Sequence, residues 1–286
     1  MSILAERFGR EINLINGYLE KVIAPNSEVK GLAQLTESMR YSLNNPGKRF
    51  RAVLSLLTAR ALDFEVNLVL PFAAAVELIH TYSLVHDDLP SMDDDDYRRG
   101  RPSNHKVYGD GMAVIAGDAL LTLAFEHIAE NYEQMPQLAL RATRVLAQAS
   151  GYRGMVGGQA IDIAVKNGAS IDGNEVRLLH SLKTGALIQA STEGPAILCE
   201  ANEQQILALA DFGRQLGLAF QIADDLLDHR EDAPEDSGFP KVFGLDQTRQ
   251  LLEETSQQAF AALESFGQKA RDLHFIAEFN RERVKS

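Results

Sequence analysis

The stretch from Leu78 to Pro102, LIHTYSLVHDDLPSMDDDDYRRGRP, constrains this chain more than any other. An apolar helical run ends in the pair Asp87 and Asp88. Pro90 has no N–H and disfavours α geometry at Leu89, so the helix is expected to stop near Asp88. Two acids at a helix C-terminus meet the negative end of the macrodipole, a conflict that a bound cation removes. Asp93 follows the break and can fold back toward Asp87. Hard oxygen ligands beside arginines suit Mg²⁺ shared between carboxylates and a substrate phosphate. Asp94, Asp95 and Asp96 are read as a solvated acidic turn.

A second site repeats the pattern. Phe220–Asp228, FQIADDLLD, also closes a long apolar helix. Asp224 and Asp228 share a face, with Gln221 one turn earlier. If the two acidic ends met, their carboxylates would repel unless cations lay between them. A multi-Mg²⁺ clamp for a diphosphate is the economical reading. A lone DDxxD is weak; two acidic sites, each after an apolar helix and each with basic residues nearby, are specific.

The rest of the chain reads as helix almost throughout: 3–22, 29–43, 48–62, 71–88, 109–133, 136–150, 151–165, a long pattern to Leu198 kinked at Pro195, 202–228, 245–262 and 269–283. Strand-like alternation is absent. The expected fold is all-α, a bundle of roughly ten or more helices around a central cavity. With 286 residues, 45% of them hydrophobic, and no linker, 1–286 reads as one domain. The net charge of −12 argues against nucleic acid as a partner, and an anionic substrate would need local positive charge or metal. The lone Cys199 excludes an internal disulfide and fits a reducing compartment. The first residues read as an amphipathic helix rather than a signal peptide, and no apolar run is expected to span a membrane.

Basic residues fall into groups. Gly47-Lys48-Arg49-Phe50-Arg51 is expected to open the third helix, whose free N–H groups form an anion site, with Lys48 and Arg51 placed for one phosphate. Arg98, Arg99 and Arg101 follow the first acidic site. Lys183-Thr184-Gly185 lies among apolar residues, where an unpaired lysine is costly. His80, by itself, reads as an ordinary core or surface histidine.

These motifs together carry a resemblance. GKRFR (Gly47–Arg51), DDLPSMD (Asp87–Asp93), RRGRP (Arg98–Pro102), GGQAID (Gly157–Asp162), KTG (Lys183–Gly185) and FQIADDLLD resemble the trans-isoprenyl diphosphate synthases, most closely the bacterial farnesyl diphosphate synthases, over nearly the whole chain. The resemblance implies a cytoplasmic homodimer that uses about three Mg²⁺ ions. Asp87, Asp93 and Asp224 would bind metal, supported by Asp88 and Asp228. Arg98, Lys183, Thr184 and Gln221 would hold an allylic diphosphate. Lys48, Arg51, His80 and Arg99 would hold isopentenyl diphosphate. Asp87, Asp93, Arg98, Lys183 and Asp224 would carry the catalysis. In the family, an aromatic residue five before the first aspartate, here Tyr82, accompanies farnesyl-length products; a geranylgeranyl synthase is the alternative.

The chain departs from the family after Asp228. Only HREDAPEDSG precedes Phe239-Pro240, where the family carries a longer loop with a lysine on the allylic diphosphate. A weakly active or non-catalytic homologue is therefore a rival reading. A terpene cyclase is a second rival, disfavoured by the GKRFR site and by a second acidic motif of the DDLLD type.

Overall fold

The computed structural model describes residues 6–23, 28–45, 47–229 and 238–284. The short-loop expectation falls largely on 230–237, which lie outside the described residues. The chain divides into two compact units, Met1–Leu56 with Asn67–Ala139, and Leu57–Val66 with Leu140–Ser286. The fold is all-α, as the sequence pattern predicts.

The first unit contains α1 (Gly9–Val22), α2 (Lys30–Leu43), the start of α3 (Phe50–Ala61), α4 (Leu70–Asp87), α5 (Asn104–Tyr108), α6 (Asp110–Asn131) and the first turn of α7 (Pro136–Ser150). Helix α4 is apolar all round, with Phe72 through Val76, Leu78 and Ile79 buried, so it forms the centre of the unit and packs mainly on α6. The Tyr132 hydroxyl staples the start of α4, donating to the Leu68 carbonyl at 2.8 Å and accepting from the Phe72 N–H at 3.2 Å. Helix α6 is long and apolar enough to cross a membrane by length and composition, contrary to the sequence expectation. Its Ala113, Ala116, Leu120, Ala124 and Ile128 are nonetheless buried, consistent with a core helix.

Two differences bear on the site. A two-residue ribbon pairs β1 (Tyr97–Arg98) with β2 (Arg101–Pro102) where no strand was expected. It is too short to show alternation, and Arg99 and Gly100 make its turn with φ of 54° and 76°. Helix α3 begins at Phe50, not Lys48, because Arg49 adopts a φ of 47°. Lys48 therefore sits in extended chain before the helix.

The second unit contains the rest of α3 and α7, then α8 (Met155–Lys166), α9 (Gly173–His180), a π-helical segment (Ser181–Gly185), α10 (Ala186–Leu198), α11 (Glu203–Asp228), α12 (Phe239–Phe243), α13 (Leu245–Leu263) and α14 (Arg271–Glu282). Capping boxes start α9 (Asp172 with Glu175) and α11 (Asn202 with Gln205), each contributing about 1 kcal/mol. Helix α11 packs on α10 and α13. The irregularity expected at Pro195 lies instead at Ser181–Gly185, and α10 continues through Pro195 to Leu198. Close approaches explain its glycines: a Cβ at Gly158 would meet the Lys183 amide nitrogen at 2.2 Å, and one at Gly217 would meet the Gly185 Cα at 2.6 Å.

Candidate active site

In the first unit, α4 ends at Asp87, and Asp88 caps it. The turn after Pro90 brings Asp93 back, its N–H donating to the Asp87 carbonyl at 2.9 Å, as the sequence predicts. Asp87 is half-buried and Asp93 exposed, so both carboxylates can reach a ligand. The donor set is hard oxygen, which fits Mg²⁺. Asp88 is different. It is 3% exposed, and its Oδ1 accepts from Arg98 Nε at 2.9 Å and also pairs with Arg98 Nη2. Burial raises its pKa and Arg98 opposes the rise. Arg98 Nη2 also reaches Asp95 Oδ2 at 3.0 Å. Asp88 thus secures the arginine that follows the motif.

Asp94, Asp96 and His105 bring one potential ligand atom each to within 4.8 Å of one another. Lys106 Nζ already lies 2.6 Å from Asp96 Oδ1, so this group carries its own cation.

The basic residues gather in the same unit. Arg51 Nη1 is 3.5 Å from His80 Nε2. Burial lowers the His80 pKa well below the ordinary value, and Arg51, Arg99, Arg49 and Arg98 lower it further, so the imidazole is neutral. Burial also lowers the Arg51 pKa. Arg51 Nε is buried with no hydrogen-bond partner among the described residues, a donor suited to an anion. Arg99 is exposed as a residue, but its guanidinium presses on Gly47, where a Cβ would meet Nη1 at 2.2 Å. A small cavity of about 30 Å³ is lined by Arg49, His80, Asp88, Arg98 and Arg99 among others.

Sequence reasoning missed the pair that builds this cluster. Arg49 and Glu77 are 6% and 3% exposed and form an ion pair at 3.4 Å. Arg49 also donates to the Leu43 carbonyl at 2.7 Å and to Asn16 Oδ1 at 2.9 Å. Glu77 Oε1 accepts from the Ala52 N–H at 3.3 Å. The N-terminus of α3, expected to be open to an anion, is thus partly filled by the protein's own carboxylate. The signal was a glutamate in an otherwise apolar helix.

In the second unit the π segment presents Lys183 and Thr184, both half-buried. Lys183 Nζ is 2.6 Å from Asp162 Oδ2, and Lys166 approaches the same oxygen at 3.2 Å. Burial favours the neutral Asp162 acid, but the Lys183 and Lys166 contacts outweigh it and leave the pKa lowered. Asp162 answers the cost of a lysine among apolar residues. It lies within the GGQAID motif, four residues before Lys166.

Asp224 is half-buried one turn before the exposed Asp228. Its Oδ1 pairs with Arg283 Nη1 at 2.6 Å. Burial raises its pKa, Arg283 opposes the rise, and Asp228 and Asp225 add to it. Arg283 is held by the Phe220 carbonyl at 3.0 Å and lies over the Phe220 ring at 4.5 Å. Gln221 Nε2 is 3.2 Å from His180 Nδ1.

Residues 32–278 match the family model described as polyprenyl synthetase. A farnesyl diphosphate synthase of Geobacillus stearothermophilus is 47% identical over 222 residues, 77% of this chain and 73% of the relative. A chloroplastic geranylgeranyl pyrophosphate synthase of Catharanthus roseus is 38% identical, covering 93% of this chain and 78% of its own. The crystal structure of an FPP/GFPP synthase from Zymomonas mobilis superposes with a TM-score of 0.90 at 37% identity, over 96% of this chain and 98% of that one.

Proposed function

The chain belongs to the polyprenyl synthetase family, and from that premise we propose that it condenses isopentenyl diphosphate with an allylic diphosphate, dimethylallyl or geranyl, to give farnesyl diphosphate and pyrophosphate. The observation that carries this reading is the pairing, within one sequence, of two aspartate-tipped helices with a separate cluster of cations around a neutral His80. One diphosphate is served by metal and the other by arginine, as a two-diphosphate reaction requires.

Bound Mg²⁺ would neutralise the charge that develops on the departing pyrophosphate. Asp87, Asp93 and Asp224 would hold it, with Asp228 beside Asp224 and Asp88 acting through Arg98. Arg98, Lys183, Thr184 and Gln221 bind the allylic diphosphate. Arg51 Nε, with Lys48, Arg99 and His80, binds the isopentenyl diphosphate without metal. A neutral His80 beside Arg51 can accept one of its N–H groups and so fix the guanidinium. The allylic C–O bond ionises and releases pyrophosphate, the isopentenyl double bond attacks the resulting allylic cation, and the proton then lost passes to the pyrophosphate. The apolar residues of α4 exclude water, which would otherwise capture the cation.

We place the product at farnesyl length. Tyr82 is 6% exposed and close enough to Asp87 that burial and that carboxylate push its phenol up to about 12. Its ring meets His86 edge-on at 5.7 Å, a rigid setting for a floor. We read 1–286 as one catalytic domain, acting in the cytoplasm as a homodimer; exposed Val114 and Ile115 on α6 support association.

The test is incubation with labelled isopentenyl diphosphate, geranyl diphosphate and Mg²⁺, followed by product analysis. Farnesyl diphosphate is expected from the wild type, and longer products from Tyr82→Ala. Absence of any condensation product would overturn the reading.

A further inference from the structure

His180 ends α9, three residues before Lys183, and is 9% exposed. Its Nδ1 receives Gln221 Nε2 at 3.2 Å, and because an amide nitrogen only donates, Nδ1 must be the unprotonated nitrogen. The proton then belongs on Nε2, which stands 3.4 Å from Asp225 Oδ2, within ion-pair reach but outside hydrogen-bond geometry. Asp225 Oδ2 also accepts from the Phe239 N–H at 2.8 Å. The Phe239 ring stacks on the imidazole at 5.1 Å, and Phe243 stacks on Phe239 at 5.9 Å. A Cβ at Gly238 would meet Asp225 Oδ2 at 2.6 Å, so a side chain there would displace this carboxylate.

This connected set includes one residue assigned above to the allylic diphosphate. Diphosphate oxygens only accept hydrogen bonds, so Gln221 must present N–H to them. A freely turning amide would offer its carbonyl oxygen about as readily, and that contact repels. One amide N–H given to His180 fixes which side of the amide faces away from the imidazole and leaves the second N–H for phosphate. Asp225, 3.4 Å from Nε2, places negative charge beside the nitrogen that carries the proton and so favours the tautomer that accepts at Nδ1.

We propose that His180 and Asp225 are positioning residues for the allylic diphosphate, fixing the Gln221 amide and tying the backbone at Phe239 to the second acidic motif. The proposal rests on the reading of function above. It gives Asp225 a role distinct from its neighbours Asp224 and Asp228: it organises protein groups rather than metal.

Two variants separate the ring's hydrogen bond from its stack. His180→Phe keeps an aromatic face on Phe239 and removes the acceptor. His180→Asn keeps an acceptor near the place of Nδ1 and removes the stack. In steady-state assays with Mg²⁺, His180→Phe is expected to raise the KM for geranyl diphosphate roughly tenfold, the worth of one oriented hydrogen bond, with the KM for isopentenyl diphosphate unchanged and thermal stability close to wild type. His180→Asn is expected to hold the geranyl KM within roughly threefold while losing stability. A wild-type geranyl KM in His180→Phe, or a rise of both KM values in step with lost stability in the two variants, would overturn the proposal while leaving the function intact. A wild type that forms no product would overturn the proposed function and this inference with it.

Discussion

Two helices of this chain end in paired aspartates, and the protein secures the two ends by different means. At the end of α4 everything needed is local. The turn after Pro90 returns Asp93 to the Asp87 carbonyl, and the β-ribbon just beyond it delivers Arg98 to Asp88. At the end of α11 the partners come from elsewhere in the second unit: Arg283 beyond α14 for Asp224, His180 of α9 and the Phe239 amide for Asp225. The first end is built by its own sequence; the second depends on the packing of α9, α12 and α14. The second of each pair, Asp88 or Asp225, holds protein groups; of the first, Asp87 is half-buried and Asp224 is tied to Arg283.

The strongest way to break this comparison is to remove the leading aspartates. Asp87→Ala and Asp224→Ala are each expected to lower kcat by roughly a hundredfold or more, the scale of losing one charge-stabilising group in a transition state. Circular dichroism should show an unchanged helix content. Full activity in either variant would show that its acidic end is not part of the catalytic machinery.

Stability distinguishes the two arginines. Arg98→Ala strands Asp88, whose side chain is 4% exposed, and should cost about 3 kcal/mol in denaturant unfolding. Arg283→Ala strands Asp224, whose side chain is 33% exposed, and should cost about 1 kcal/mol or less. Equal costs would mean that the two ends are held alike.

A smaller effect comes from an acid with permanent lysine partners. Asp162 has a lowered pKa in the folded chain, so its contribution is present above the ordinary carboxylate value of 3.8 and is lost as pH falls through the lowered one. The Tm gap between wild type and Asp162→Asn should be full at neutral pH and close as the solution is acidified below that ordinary value. A gap that widened on acidification would contradict the assignment.

Much of this was legible in the sequence because it is local. Helical periodicity, the Pro90 stop and the return of Asp93 follow from short-range rules. What was not legible is what distant packing decides. Arg49 takes a left-handed φ and turns inward to Glu77, so the helix starts later than its propensities suggest and its N-terminus is partly taken. The π segment at Lys183 reflects close backbone approaches at Gly158 and Gly217, which no local pattern announces. Asp162, Arg283 and His180 each meet their partners only after the second unit has folded.

If the aspartate-tipped helices serve metal and the arginine cluster does not, turnover depends on Mg²⁺ through the aspartates alone. Turnover of geranyl and labelled isopentenyl diphosphate, followed as Mg²⁺ is added back to chelator-treated protein, tests it most directly. No product is expected without metal, farnesyl diphosphate on its return, and a higher Mg²⁺ requirement in Asp93→Asn and Asp228→Asn but not in Arg51→Gln. Turnover that survives the chelator, or a metal requirement shifted by Arg51→Gln and not by the aspartate variants, would contradict it.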